Sequence, residues 1–222
     1  MTRFRLAAFA CVVGLAIPLI STAQPVRPGI SGGMGVTYSS SNDIVNLVNS
    51  TGGAIERIPQ FHAGAEFFGT ISIPVGEDWI LKLDYGYQII SYNIATIFET
   101  AQYTVTQHCP TLIVQRVLAE RGVFNVRAGA GVGYHFGILS EKYSYVDNSY
   151  TGKGPGFVIE VEGNTALGDH LYVHLGANAR WELIGTVTDA NGKTPGRAPA
   201  GGDSSLNSVG VGARLGFTFY LF

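Results

Sequence analysis

The chain offers little of what fixes most folded domains by covalent or ionic means. Two of its 222 residues are cysteine and only 14% are charged. Beyond residue 23, no apolar run reaches the roughly 20 residues that a spanning helix requires, which excludes a helical membrane protein. One cysteine, Cys109, lies beyond that point. An intrachain disulfide and a multi-thiolate metal site are therefore both excluded. Basic clusters are missing as well. Removing Arg3 and Arg5 with the first segment leaves 12 of the 14 basic residues against 16 acids, a net charge of −4. That balance argues against nucleic acid as a partner.

The first segment has the form of a secretory signal peptide over residues 1–23. Arg3 and Arg5 form a basic start, Leu6 to Ile20 is an apolar run, and Ser21-Thr22-Ala23 offers small residues for cleavage before Gln24. Cys11 follows Ala-Phe-Ala, a poor lipobox, and the apolar run continues past it, so a lipid anchor is disfavoured. Residues 24–222 then form one exported domain.

What the mature chain has in abundance is alternation. In "LYVHLGANARWEL", Leu171 to Leu183, one row is wholly apolar and the other carries His174, Arg180 and Glu182. Period two is the strand signal. It recurs over Gly29–Tyr38, Phe61–Ile73, Trp79–Tyr92, Val123–Phe136, Gly156–Ala166 and Ser208–Phe222. A further run, about Gln102–Leu118, is irregular; Pro110 interrupts it, and the pattern predicts a bulge or register change near Leu112–Val114. These eight strands, most near 11–14 residues, exceed the roughly five or six residues of strands in soluble domains. Tight turns at Pro74–Asp78, Ala119–Gly122 and Leu167–His170 alternate with longer connections at 39–60, 93–101, 137–155 and 186–207. Short turns at one end and long loops at the other describe an up-and-down membrane barrel.

The alternation alone leaves open which face is buried. In a secreted soluble barrel the charged row would face water. In a membrane barrel the apolar row meets lipid. Outside the irregular strand, the apolar row carries no Asp, Glu, Lys or Arg, as expected where a charge at the bilayer midplane costs about 2–4 kcal/mol. Aromatics near strand ends fit interfacial girdles: Tyr38, Phe61, Trp79, Tyr92, Tyr103, Phe124, Phe136, Phe157, Tyr172, Trp181 and Tyr220. A run of about 13 residues, tilted near 40°, spans roughly 33 Å. These features favour an all-β, eight-stranded antiparallel up-and-down transmembrane β-barrel.

The chain resembles the small eight-stranded outer-membrane barrels of Gram-negative bacteria, the group of the OmpA transmembrane domain and the OmpX/Ail and opacity-protein types. The resemblance covers essentially all of 24–222 and includes the ending "GARLGFTFYLF". It implies export through the Sec pathway, contact with outer-membrane lipids and lipopolysaccharide, and assembly by the barrel-assembly machinery reading Phe222. Counted back from that end, however, the apolar row stops at Leu221, and Arg214 shares Phe222's parity. The chain stops at this strand, so the resemblance implies a barrel without the periplasmic peptidoglycan-binding domain.

Eight strands enclose a space just wide enough for side chains to fill. The inward row holds Glu66, Lys82, Asp84, Arg127, His135, Glu160, Glu162, His174, Arg180, Glu182 and Arg214, together with His62. Buried charges must be paired, because breaking one pair costs about 3–5 kcal/mol. A luminal ion-pair network that plugs the barrel is expected, with a narrow gated ion path as the sharper alternative. The sequence carries no catalytic or cofactor-binding pattern: no Ser neighbours His174 or His135, and the His-x-Ser-Asn pattern of lipid A deacylases is missing. No metal site is expected, since the histidines lie on three different strands. The segments "SEKYSYVDNSYTGKGPG" and "DANGKTPGRAPAGGDSS" carry mixed charges and are read as solvated loops open to an extracellular ligand. The expected role is thus non-catalytic, structural or surface-interacting. The alternatives are a small channel or transporter for ions or a hydrophobic compound, and a secreted soluble ligand-binding barrel.

Overall fold

The computed structural model describes residues 27–51, 54–97, 100–143, 146–195 and 204–221. The expected signal peptide and Phe222 lie outside the described residues. Eight strands form the ring: β1 (Gly29–Ser40), β2 (Phe61–Pro74), β3 (Trp79–Ala95), β4 (Thr100–Arg121), β5 (Phe124–Tyr143), β6 (Val146–Ala166), β7 (Leu171–Glu182) and β8 (Ser208–Tyr220). Each pairs antiparallel with its neighbour in sequence, and β8 closes on β1. One helix, α1 (Asn42–Asn49), lies between β1 and β2. This is the eight-stranded up-and-down barrel that the alternation implied.

The pairing fixes the shape. Partners followed once round the ring run Gly29, Ser72, Lys82, Ile113, Gly131, Val158, Arg180, Gly210 and back to β1 at Ser39. The path returns at residue 39 after leaving at 29, a shear of 10. With a rise of about 3.3 Å per residue and a strand spacing of about 4.7 Å, that shear tilts the strands by roughly 41°. Short connections at one end turn through Gly76 (φ 93°) and Gly122 (φ 56°), conformations that glycine adopts at little steric cost. Both ends of the ring, Gly29 and Tyr220, are paired there.

The strands are longer and less even than the sequence reading has them. β3, β4, β5 and β6 have 17, 22, 20 and 21 residues, against 12 to 14 in the other four. The expected loop at 137–155 is instead a hairpin, with Ser140 opposite Ser149 and Glu141 opposite Asn148. Four strands therefore stand above the rim as a wall. At its edges Ile55 N donates to Ala95 O at 3.0 Å, and Thr188 N to Thr151 O at 3.1 Å. Those contacts cover strand edges that would otherwise invite pairing with another chain.

β4 corrects a second expectation. Its register with β3 runs unbroken through Pro110, opposite Tyr85. The single shift against β5 falls between Val117 and Ala119, near the short-turn end. β4 looked irregular because its inward row, Ala101, Tyr103, Val105, Gln107, Cys109, Thr111, Ile113 and Gln115, carries no charge. Neither face therefore stood out as polar.

The girdle is likewise smaller than expected. Tyr38, Phe61, Trp79, Phe124, Phe136, Phe157 and Trp181 are exposed on the outer face, but Tyr92, Tyr103 and Tyr220 are buried inside. Arg116 also lies on the outer face near the short-turn end, its guanidinium 5.8 Å from the Trp79 ring centroid.

The two tiers bury the same inward face but fill it with opposite chemistry. Along β3, Leu81, Leu83 and Tyr85 are exposed outward while Lys82, Asp84 and Gln88 are buried. From Ile90 upward the order inverts: Ile90, Tyr92 and Ile94 are buried, and Ser91 and Asn93 face out. β4 matches, with Ala101, Tyr103 and Val105 inside and Gln102 and Thr104 outside. No register shift in the β3–β4 pairing accompanies the change. The environment changed, not the backbone: apolar residues face out where the outside is lipid, and face in where it is water.

Candidate functional site

The lumen of the lower tier is polar and filled. All eleven network residues are buried. Nearest the short turns, Lys82 Nζ donates to Glu160 Oε1 at 2.7 Å and to Glu162 Oε2 at 2.8 Å. Glu162 also lies 3.7 Å from Arg127 and 3.7 Å from His174 Nδ1. Gln115 donates to Glu160 at 2.6 Å, and Arg127 Nη2 to the Tyr220 hydroxyl at 2.8 Å. Above this, Arg214 bridges two acids, donating to Glu66 at 2.8 Å and to Asp84 at 2.8 Å. Arg180 reaches the same pair at 3.2 and 3.4 Å. Glycines opposite the long side chains make the room: a Cβ at Gly86 would stand 3.0 Å from Glu66 Oε1.

Higher still, His135 and Glu182 of the expected network meet Cys109, which the sequence reading missed. His135 Nδ1 hydrogen-bonds Glu182 Oε2, and His135 Nε2 lies 3.0 Å from Thr111 Oγ1. Thr111 Oγ1 donates to the Cys109 carbonyl at 3.2 Å. One ligand atom from each of Cys109, His135 and Glu182 lies within 4.8 Å of the others, and all three residues are buried. The three histidines on the inward row do not meet: the His62 ring lies 4.3 Å from that of Tyr92, tilted by 50°, and His174 sits beside Glu162. Cys109 could have been found by counting inward parity down β4 from Tyr103.

An apolar lid closes the upper tier. Ile90, Tyr92, Ile94, Ala101, Tyr103, Val105, Leu139 and Tyr150 from the wall meet Ile184, Val187 and Leu206 from the last long connection. α1 supplies Ile44, Val45, Leu47 and Val48, spaced to put four apolar side chains on one helical face. Full burial of each large aliphatic stabilises by about 1.5–3 kcal/mol. The helix is tied down polarly as well, since Ser205 Oγ donates to Asp43 in its first turn. Glu141, expected on a solvated loop, is buried here and accepts from the Tyr103 hydroxyl at 3.1 Å. In the 186–207 connection Val187 and Leu206 are folded into the lid and Ser204 and Ser205 are buried beside it, while residues 190–193 are exposed; residues 196–203 lie outside the described residues.

Where the wall is low, a notch of about 410 Å³ opens between α1 and the ends of β7 and β8. Asp43, Gln60, Phe61, Trp181, Glu182 and Asn207 are among its lining. Glu182 is thus both the top of the polar lumen and the floor of an outside groove.

An apolar outer belt around a charge-filled lumen, with the start of β1, the end of β8 and the short turns at one end, defines a transmembrane barrel of the outer-membrane type. The chain belongs to the outer membrane protein beta-barrel domain family, whose model matches residues 7–219. No curated protein sequence matches it. Among solved structures it is similar to Neisserial surface protein A, with a TM-score of 0.55 and 10% identity, covering 87% of this chain and 97% of that one. It is also similar to the outer membrane protein OprG from Pseudomonas aeruginosa, with a TM-score of 0.52 and 12% identity, covering 90% of this chain and 98% of that one. At such identities these likenesses speak for the fold alone. The protein resides in the Gram-negative outer membrane.

Proposed function

We propose that this protein is a closed, non-catalytic barrel that acts at the cell surface through its polar outer wall and lid. The observation that supports this most is the filling of the lumen over its whole height. Charged pairs occupy the lower tier and an apolar core occupies the upper one. An ion crossing this path would have to break buried pairs and then open the lid, against costs of several kcal/mol at each stage. The polar wall, with Ser91, Asn93, Gln102 and Thr104 facing out, offers contact to lipopolysaccharide or an extracellular partner. The leader expected over residues 1–23 directs export, and Phe222 is the element offered to the assembly machinery. Planar-bilayer recording of the purified barrel tests the reading. The expected result is a flat current; steady single-channel steps would overturn closure and favour a channel.

A further inference from the structure

The five network carboxylates and four permanent cations of the lumen do not balance. Glu66, Asp84, Glu160 and Glu162 each lie within 4.0 Å of Lys82, Arg127, Arg180 or Arg214. Among the described residues Glu182 has His135 alone as an ionic partner, and its Oε1 is buried without a hydrogen bond. A buried carboxylate without a cation is strongly destabilising. The hydrogen bonds around His135 sharpen the imbalance. Thr111 Oγ1 stands between the Cys109 carbonyl and His135 Nε2, 3.2 and 3.0 Å away. In the ring tautomer that donates from Nε2 to Thr111, Nδ1 turns a lone pair toward the Glu182 carboxylate, and a cation shared by the two satisfies both.

We propose that Cys109, His135 and Glu182 form a binding site for a divalent transition-metal ion of the zinc class, reached through the notch. The ligands are Cys109 Sγ, His135 Nδ1 and a Glu182 oxygen, a mixed sulfur, nitrogen and oxygen set suited to tetrahedral zinc with a fourth position left to water. On binding, the Cys109 thiol releases its proton to solvent; thiolate and carboxylate together then neutralise the ion. Thr111 holds the ring from its far nitrogen, the usual outer support of a ligating histidine. The site has space reserved for the ring. A Cβ at Gly156 would stand 2.2 Å from His135 Nδ1, and one at Gly133 2.5 Å from Nε2. The notch that Glu182 lines also carries Asp43, so its mouth is acidic and attracts cations. This goes beyond the closed-barrel reading and stands whether or not the barrel conducts.

The test uses the full mature barrel, refolded in detergent with Co2+ and, separately, with Zn2+, after chelator stripping. The expected result is one Co2+ per chain with a thiolate-to-cobalt charge-transfer band, displaced by Zn2+. That band should vanish in Cys109→Ser, while Glu182→Gln weakens binding and removes the tetrahedral visible spectrum. Thr111→Val, which keeps all three ligands, should weaken binding by about 10–100-fold. Heat-modifiable gel mobility reports which variants fold. Absence of the thiolate band in the folded wild type would overturn the proposal and leave an imidazolium–carboxylate bridge in its place. Survival of the band in folded Cys109→Ser, or unaltered affinity in Thr111→Val, would overturn it too.

Discussion

The lower and upper tiers are built from the same strands and solve opposite problems. Below, the barrel hides charge from lipid: Arg214, Arg180, Glu66 and Asp84 sit inside and the exposed row is Leu, Val, Ile and Phe. Above, it hides Ile90, Tyr92, Leu139 and Leu206 from water, with Ser and Asn outside. The lower tier is held by pairs that are costly to break, and the upper by apolar contact and a docked helix. A single unbroken β3–β4 ladder joins them. The side chains, not the backbone, state where the bilayer ends.

The sharpest way to break the comparison is to remove a network cation. Arg214→Ala leaves Glu66 and Asp84 to share Arg180 alone and should cost about 3–5 kcal/mol, read from urea unfolding of the refolded barrel. Arg180→Ala and Arg127→Ala should also lower the midpoint, whereas Lys193→Ala on the described outer connection should stay within about 0.5 kcal/mol. Equal midpoints for these variants would refute the network's role. Next in size, Leu139→Ala opens the lid at a cost of about 2–5 kcal/mol. It should expose the upper tier to protease while the lower tier keeps its heat-modifiable band.

The outer face allows a paired test. Val132→Arg, between Phe124 and Phe136 on the lipid side of β5, should cost about 2–4 kcal/mol. Ser91→Arg on the polar wall should cost less than about 0.5 kcal/mol. Comparable losses at both positions would erase the distinction between tiers. The smallest effect concerns Asp189, whose carboxyl is held below its usual range by hydrogen bonds from the backbone N–H groups of Lys193 and Asn191. Its folded-state value lies below the unfolded one, so this local stabilisation is present above the unfolded carboxylate range and fades as pH falls through the depressed value. Protease cleavage near Asp189 should therefore quicken in acid for wild type and be less pH-dependent in Asp189→Asn.

Much of the lower tier could be read from the chain. Parity alone sorts Lys82, Asp84 and Arg214 from Leu83 and Leu215, because lipid admits no charge on its side. Their pairing could not be read. Arg214 and Glu66 are 148 positions apart, and only the shear brings them together. The lid was legible only in part. The hydrophobic row of β3 changes from odd to even numbers between Ile89 and Ile90, which marks the exit from the bilayer. But the residues that complete the lid, Leu47, Ile184 and Leu206, come from connections with no period of two. Cys109 stayed hidden because the row around it is neutral, and its ligand-set partners sit on two other strands.

Depth-resolved spin labelling along β3 tests the inversion most directly. Single labels from 81 to 95, placed in a Cys109→Ser background, are measured for collision with oxygen and with a water-soluble nickel chelate. The tiers predict oxygen access at 81, 83, 85 and 87, chelate access at 91 and 93, and protection from both at 90, 92 and 94. Oxygen access persisting through 91 and 93, or chelate reaching 90, 92 and 94, would contradict the account.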